Sequence, residues 1–141
     1  MSNRASAAVR LFAWSIAIGL FAAVLQAFVA VALSGTIGRI AALGSSELAQ
    51  AVLAQTALSG LLAATTLALA ALAGLSAELP LSVGALGGAI ASFVPAAVLL
   101  FGEGLDALGP PQLALVRGAG LLATIASGAV GVGLGRRAVR R

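Results

Sequence analysis

The sequence predicts an all-α integral membrane protein, an antiparallel bundle of four transmembrane helices with both termini in the cytoplasm. Three observations predict it. Hydrophobic residues make up 61% of the 141 residues and charged residues only 9%, whereas a soluble domain carries about 25% charged residues. Several apolar runs match or exceed the ~20 residues that cross a bilayer as a helix. Six of the eight Arg residues, Arg4, Arg10, Arg136, Arg137, Arg140 and Arg141, lie at the two chain ends. Arg flanking apolar segments marks the cytoplasmic side, so Arg-rich ends on one side require an even number of crossings. A mean hydropathy of +1.14 fits the same class. Residues 1-141 form one membrane domain.

The first helix is expected over residues 9–35, after a polar leader, MSNRASAA. Its apolar part is too long for a signal-peptide core, so it reads as a retained helix. Phe12 and Trp14 near its start suit the headgroup level. Residues 36–47 read as a connection, with Gly38 and Gly44 as breakers and Ser45-Ser46 as an N-cap. The second helix is expected over 48–76, long enough to tilt or to extend past the hydrocarbon. It ends at Ala77-Glu78-Leu79-Pro80, because the residue before Pro resists helical geometry. The third spans 81–101 and contains Pro95, which removes one backbone donor and predicts a kink. GEGLDALGPP, residues 102–111, carries turn residues throughout and reads as a loop. The fourth runs over 112–135 and ends on RRAVRR. Connections this short are expected to join antiparallel neighbours.

The chain has no Cys and no His. This excludes disulfides, thiolate chemistry and zinc sites of the usual kind, and no cofactor is expected. The net charge of +4 sits where it orients helices and attracts anionic lipid headgroups, above all at the C-terminal Arg cluster. The basic tail is short and has no neighbouring aromatics, which argues against nucleic acid as a partner. An Ala/Gly-rich composition with Arg as the only basic residue fits a bacterial inner (cytoplasmic) membrane protein.

Small and weakly polar residues recur at helical spacing. Ser15, Gly19, Ala22, Gln26 and Ala30 share one face of the first helix; Gln55, Ser59, Ala63, Thr66, Ala70 and Ala73 share one face of the second. Gly84 and Gly88 stand four apart in the third. Gly120, Thr124, Gly128, Gly131 and Gly135, with Ser127 alongside, mark the fourth. Lipid offers no hydrophobic drive for helices to associate, so small residues must let backbones approach closely. That packing serves one bundle, a homo-oligomer or a larger membrane complex. Gln26 and Gln55 are amides inside apolar runs and should face protein, bonding each other across the first hairpin or lining a path. Ser59, Thr66, Thr124 and Ser127 are candidates for the same polar path or for interhelical hydrogen bonds.

No titratable side chain falls at mid-membrane. Arg117 at the edge of the fourth helix is expected to snorkel to the interface. Glu103 and Asp106 belong to a solvated turn, and Ser15, Ser59 and Ser127 have neither base nor metal nearby in sequence, so no enzyme is expected. LLFGEGLD at residues 99–106, followed by the Gly-rich last helix, resembles the end of the small multidrug resistance and drug/metabolite transporter proteins. Leu79-Pro80-Leu81 and the Gly-rich third segment extend the likeness over residues 79–135. The resemblance implies a small homodimeric transporter. Two departures stand against it: the first helix offers Gln26 where those transporters carry a Glu, and the interval from Pro80 to Glu103 is shorter than theirs. No functional residue carries over.

Three functions remain open on these grounds. One is a small non-catalytic accessory subunit packing in a larger membrane complex. The second is a small-molecule transporter or channel acting as a homodimer. The third is a holin-like membrane-perturbing protein.

Overall fold

The computed structural model describes residues 2–141, which are all-helical with no strand among them. The elements are α1 (Ser2–Ala32), α2 (Ser34–Ala41), α3 (Glu47–Ser76), α4 (Leu81–Glu103), a 3₁₀ helix (Gly104–Leu108) and α5 (Pro111–Val139). Four helical stretches, in α1, α3, α4 with its 3₁₀ extension, and α5, are long and apolar enough to cross a membrane.

The helix ends follow from local chemistry. Ser46, in extended backbone, accepts from the Ala49 N–H at 3.1 Å and starts α3, with Glu47 in the first turn; a carboxylate is favourable at the positive end of the helix dipole. Pro80 is the N-cap of α4. Pro111 occupies the start of α5, where its missing N–H costs nothing. Gly104 and Gly109 end α4 and the 3₁₀ helix at φ of +67° and +66°, a left-handed backbone open to Gly without steric penalty.

Three boundaries depart from the sequence reading. The leader is helical, so α1 begins at Ser2 rather than at residue 9. Ala5, Ala7 and Ala8 are strong helix formers with no breaker between them and Val9. The 36–47 connection is also largely helical. Only Leu33 separates α1 from α2, and hydrogen bonds from Leu33 N to Val29 O and from Ile37 N to Leu33 O, both 2.9 Å, run through the break. Gly38 does not stop α2, and the chain turns instead at Ala42 and Leu43. Likewise 102–111 is mostly ordered as helix, with a 3₁₀ turn between its two Gly stops. α4 continues through Pro95.

The packing register gives the arrangement. On α5, Gly128 lies against Gly84 of α4 and Thr124 against Gly88, so the α4–α5 pair is antiparallel. Ser59 meets Gly120, Ala70 meets Gly131 and Gly74 meets Gly135, so α3 and α5 run parallel. Ser15 and Ile18 meet Gly87, and Gly19 meets Ile90, so α1 and α4 also run parallel. Each successive long helix therefore reverses direction, and α1 begins at the end of the bundle where α5 finishes. That end carries six Arg and Glu78; the other carries Arg39, Arg117, Glu47, Glu103 and Asp106. We call them the basic and acidic ends.

The most extensive interface is between α3 and α5, whereas α3 and α4 touch little despite the four-residue turn that joins them. The short turn does join two antiparallel helices, as expected, but they are not closely packed along their length. α5 inserts between them because its Gly residues let its backbone approach both.

Size is distributed inside out. The largest fully buried side chains are Val132, Thr66, Thr124 and Ser15. All five Phe (Phe12, Phe21, Phe28, Phe93 and Phe101) are exposed. Ile18, Leu79, Val83 and Val132 form the main apolar cluster with Ala70 and Ala73, and Trp14 packs partly buried against it. Around this centre Ala and Gly permit close backbones, and the bulky apolar surface faces outward.

Candidate functional site: a cavity between α3, α4 and α5

Where α3 and α4 are held apart toward the acidic end, a partly open cavity of about 350 Å³ remains between them, walled on a third side by α5 and bordered by Ala107 and Leu108 of the 3₁₀ helix. Small-molecule sites span about 300–1,000 Å³ and combine apolar walls with a few placed polar groups. Leu62, Pro95, Leu99, Leu100 and Leu121 supply the apolar wall; Gln55, Ser59, Ser92, Thr124 and Arg117 supply the polar groups. Ser92 and Thr124 lie near the middle of their helices, so the cavity reaches from the bundle's centre to its acidic end.

The polar side chains differ in how their hydrogen bonds are met. Gln55 Nε2 donates to Ser59 Oγ at 3.2 Å, one turn on. Ser59 rests on Gly120, where an added Cβ would come within 2.5 Å of its Oγ. Thr124 Oγ1 donates back to the Gly120 carbonyl at 2.8 Å, the usual way a helix absorbs a buried hydroxyl. Ser92 is buried and its Oγ has no partner. Arg117 points inward: its Nη1 donates to the Ala107 carbonyl, and its Nε is buried without a partner. Arg117 therefore ties α5 to the 3₁₀ helix, reaching back toward the acidic end of the bundle. It is the single charged residue among those lining the cavity.

Of the six polar residues singled out in the sequence, Gln55, Ser59 and Thr124 come together in this cavity. Gln26 is half-buried on α1 and stands apart from it, and the Gln26–Gln55 bond does not form, because Gln55 is engaged with Ser59. Thr66 is fully buried on α3, below the cavity, with its Oγ1 unpartnered. Ser127 is half-buried on α5 and outside the lining. Ser92 and Arg117 were missed as site residues. Both carry a readable signal: Gly84, Gly88 and Ser92 continue one four-residue stripe, and Arg117, Gly120 and Thr124 continue another.

The glycines singled out for packing, Gly84, Gly88, Gly120, Gly128, Gly131 and Gly135, meet other helices of the same chain. A Cβ on Gly84 or Gly88 would strike the backbone carbonyls of Gly128 or Thr124, and one on Gly131 or Gly135 those of Leu67 or Ala71. At the basic end, Arg136 and Arg140 border a smaller crevice of about 140 Å³ with Glu78 and Ser76.

No family model, curated protein or solved structure matches the chain. The fold and cavity themselves define its class: a small all-helical chain with four helices long and apolar enough to cross a membrane, holding a mostly apolar cavity with one inward Arg.

Proposed function

We propose that this is a multi-pass membrane protein that binds a small molecule in the α3/α4/α5 cavity and transports it, without chemistry of its own. The observation that carries the reading is the cavity itself, which joins the bundle's centre to one end and places Gln55, Ser59, Ser92 and Thr124 among apolar walls. Residence in the bilayer is supported by the outward Phe residues and by helix lengths. α3, at 30 residues, is about 45 Å long at 1.5 Å per residue, more than the ~30 Å hydrocarbon core. The charge asymmetry supports placing the basic end in the cytoplasm, in a bacterial inner membrane. The cavity then faces the opposite side.

Pro95 supports a transport cycle. It withholds a backbone donor in the stretch of α4 that lines the cavity, while the preceding part of α4 is clamped to α5 through Gly84 and Gly88. A swing of α4 beyond Pro95 would change access without disturbing the clamp. The resemblance of residues 79–135 to the small multidrug resistance proteins points the same way.

The accessory-subunit reading loses one of its supports, since the Gly faces that would dock against a larger complex are filled internally. It keeps another: α1 makes no packing contact with α5 and leaves Phe21 and Phe28 exposed. Purification in lipid nanodiscs separates the two. The transporter reading expects protein without a stoichiometric foreign partner, as monomer or homodimer, thermally stabilised in a saturable way by small amphiphiles. It expects Ala114→Phe, which places a ring in the cavity wall, to abolish that stabilisation. A foreign subunit at fixed stoichiometry, with no saturable ligand, would establish the accessory role instead.

A further inference from the structure

We infer that the cavity takes an amphipathic anion: an apolar body bearing a single carboxylate head, with the head held near Arg117. The inference rests on the ligand-binding reading above and specifies its substrate class. Four observations carry it. Arg117 is the one charged side chain of the lining, and no Asp or Glu lines the cavity with it. Glu103 and Asp106, the nearest carboxylates in sequence, are exposed. Arg117 uses its Nη1 on the Ala107 carbonyl, and its Nε is buried with no partner, so a guanidinium with five donors is left short of acceptors. The buried Ser92 Oγ, also unpartnered, lies on the same wall.

The physics favours an anion over a neutral or cationic guest. A cation partly buried among apolar walls is costly unless it is paired. Holding it there leaves a positive potential that low-dielectric surroundings screen poorly. A carboxylate is matched by the planar fork of Arg in a way that a hydroxyl or an ammonium is not. The remaining surface, Leu62, Leu99, Leu100 and Leu121, suits an alkyl or aryl body. The position of Arg117, about two turns inside α5, sets the head near the acidic end and the body toward the centre. Such a guest would lie as an amphiphile lies in a bilayer, head at the interface and tail inward.

The test uses three probes with one alkyl body and different heads: decanoate, decanol and decyltrimethylammonium. Saturable binding to the full chain in zwitterionic nanodiscs is measured over the partitioning seen with empty nanodiscs. Decanoate is expected to bind at least tenfold more tightly than either of the others. Arg117→Gln should erase that preference while leaving decanol binding within about twofold, and Arg117→Lys should retain part of it. Fold integrity is checked in both variants by melting. Equal binding of decanoate and decanol, unchanged by Arg117→Gln, would overturn the charge assignment and leave the cavity reading standing. Absence of saturable binding by all three, or binding untouched by Ala114→Phe, would overturn the cavity reading and this inference with it.

Discussion

Gly84 and Gly128 meet backbone to backbone across the α4–α5 interface: a Cβ added to either would overlap the carbonyl of the other. The contact is reciprocal, so neither helix can yield by turning a side chain. Gly88 repeats it one turn on against the Thr124 carbonyl, and Gly131 and Gly135 repeat it against Leu67 and Ala71 of α3. These contacts place α5 as a wedge between α3 and α4, and the cavity lies where that wedge leaves α3 and α4 apart.

Gly84→Leu or Gly128→Leu should each destabilise the bundle by more than about 3 kcal/mol, beyond the usual range for overpacking, because backbone must move. Gly131→Leu should do the same at the α3 interface. Phe28→Ala and Phe93→Ala, on the outward surface, should cost well under that. Comparing reversible unfolding of the five variants in one detergent checks the ranking. Leu variants as stable as the Phe variants would show that these glycines do not set the packing.

Gly60 and Gly118 are opposite cases. Both lie inside helices, and a Cβ on either would meet no neighbouring atom within 4 Å. Gly→Ala at each should therefore stabilise by roughly 0.5–1 kcal/mol through helix propensity alone. A loss of stability at Gly60 would mean that another chain packs there, which would favour an oligomer through α3.

Ser46→Ala removes the side-chain acceptor at the start of α3 and should cost about 1 kcal/mol, while Ser46→Asp should preserve it. The signature is local. Amide exchange at residues 47–49 should accelerate in the Ala variant, with no change in the α4–α5 interface. Uniform acceleration across the bundle would contradict a purely local cap.

The absence of Cys makes each introduced thiol a unique reporter of sidedness. Arg141→Cys and Asn3→Cys should share one accessibility to an impermeant maleimide in intact cells, protected in both cases. Ser45→Cys and Asp106→Cys should share the other, labelled from outside. Labelling of only one terminus would rule out an even number of crossings. Labelling of both termini, with 45 and 106 protected, would invert the proposed orientation.

The helical character, the four long apolar stretches and most of the small-residue faces were legible because they depend on residue type at fixed spacing. Ser46 as a cap and Pro80 and Pro111 as start signals are of the same kind, since each acts within one turn of itself. The extent of α1 and the helical state of 34–41 were not legible. Gly38 read as a breaker, yet contact with α3 and continuous hydrogen bonding through Leu33 kept that segment helical. The site was half legible: Gln55, Ser59 and Thr124 declared themselves as polar groups in apolar runs, whereas Arg117 looked like an interfacial anchor and Ser92 like one more small residue.

By itself the sequence determined that apolar length, sparse charge and Arg-rich ends make a helical chain suited to a bilayer, with faces smooth enough for backbones to touch. These are one-dimensional properties, carried by composition and period. Only the tertiary structure decided which faces meet. It placed α5 between α3 and α4, turned Gln55 to Ser59 and away from Gln26, and directed Arg117 inward to Ala107. The reason is physical: with small residues on every helix, many pairings are compatible with the pattern. The choice among them falls to the summed fit of backbone against backbone, which no single helix carries in its own sequence.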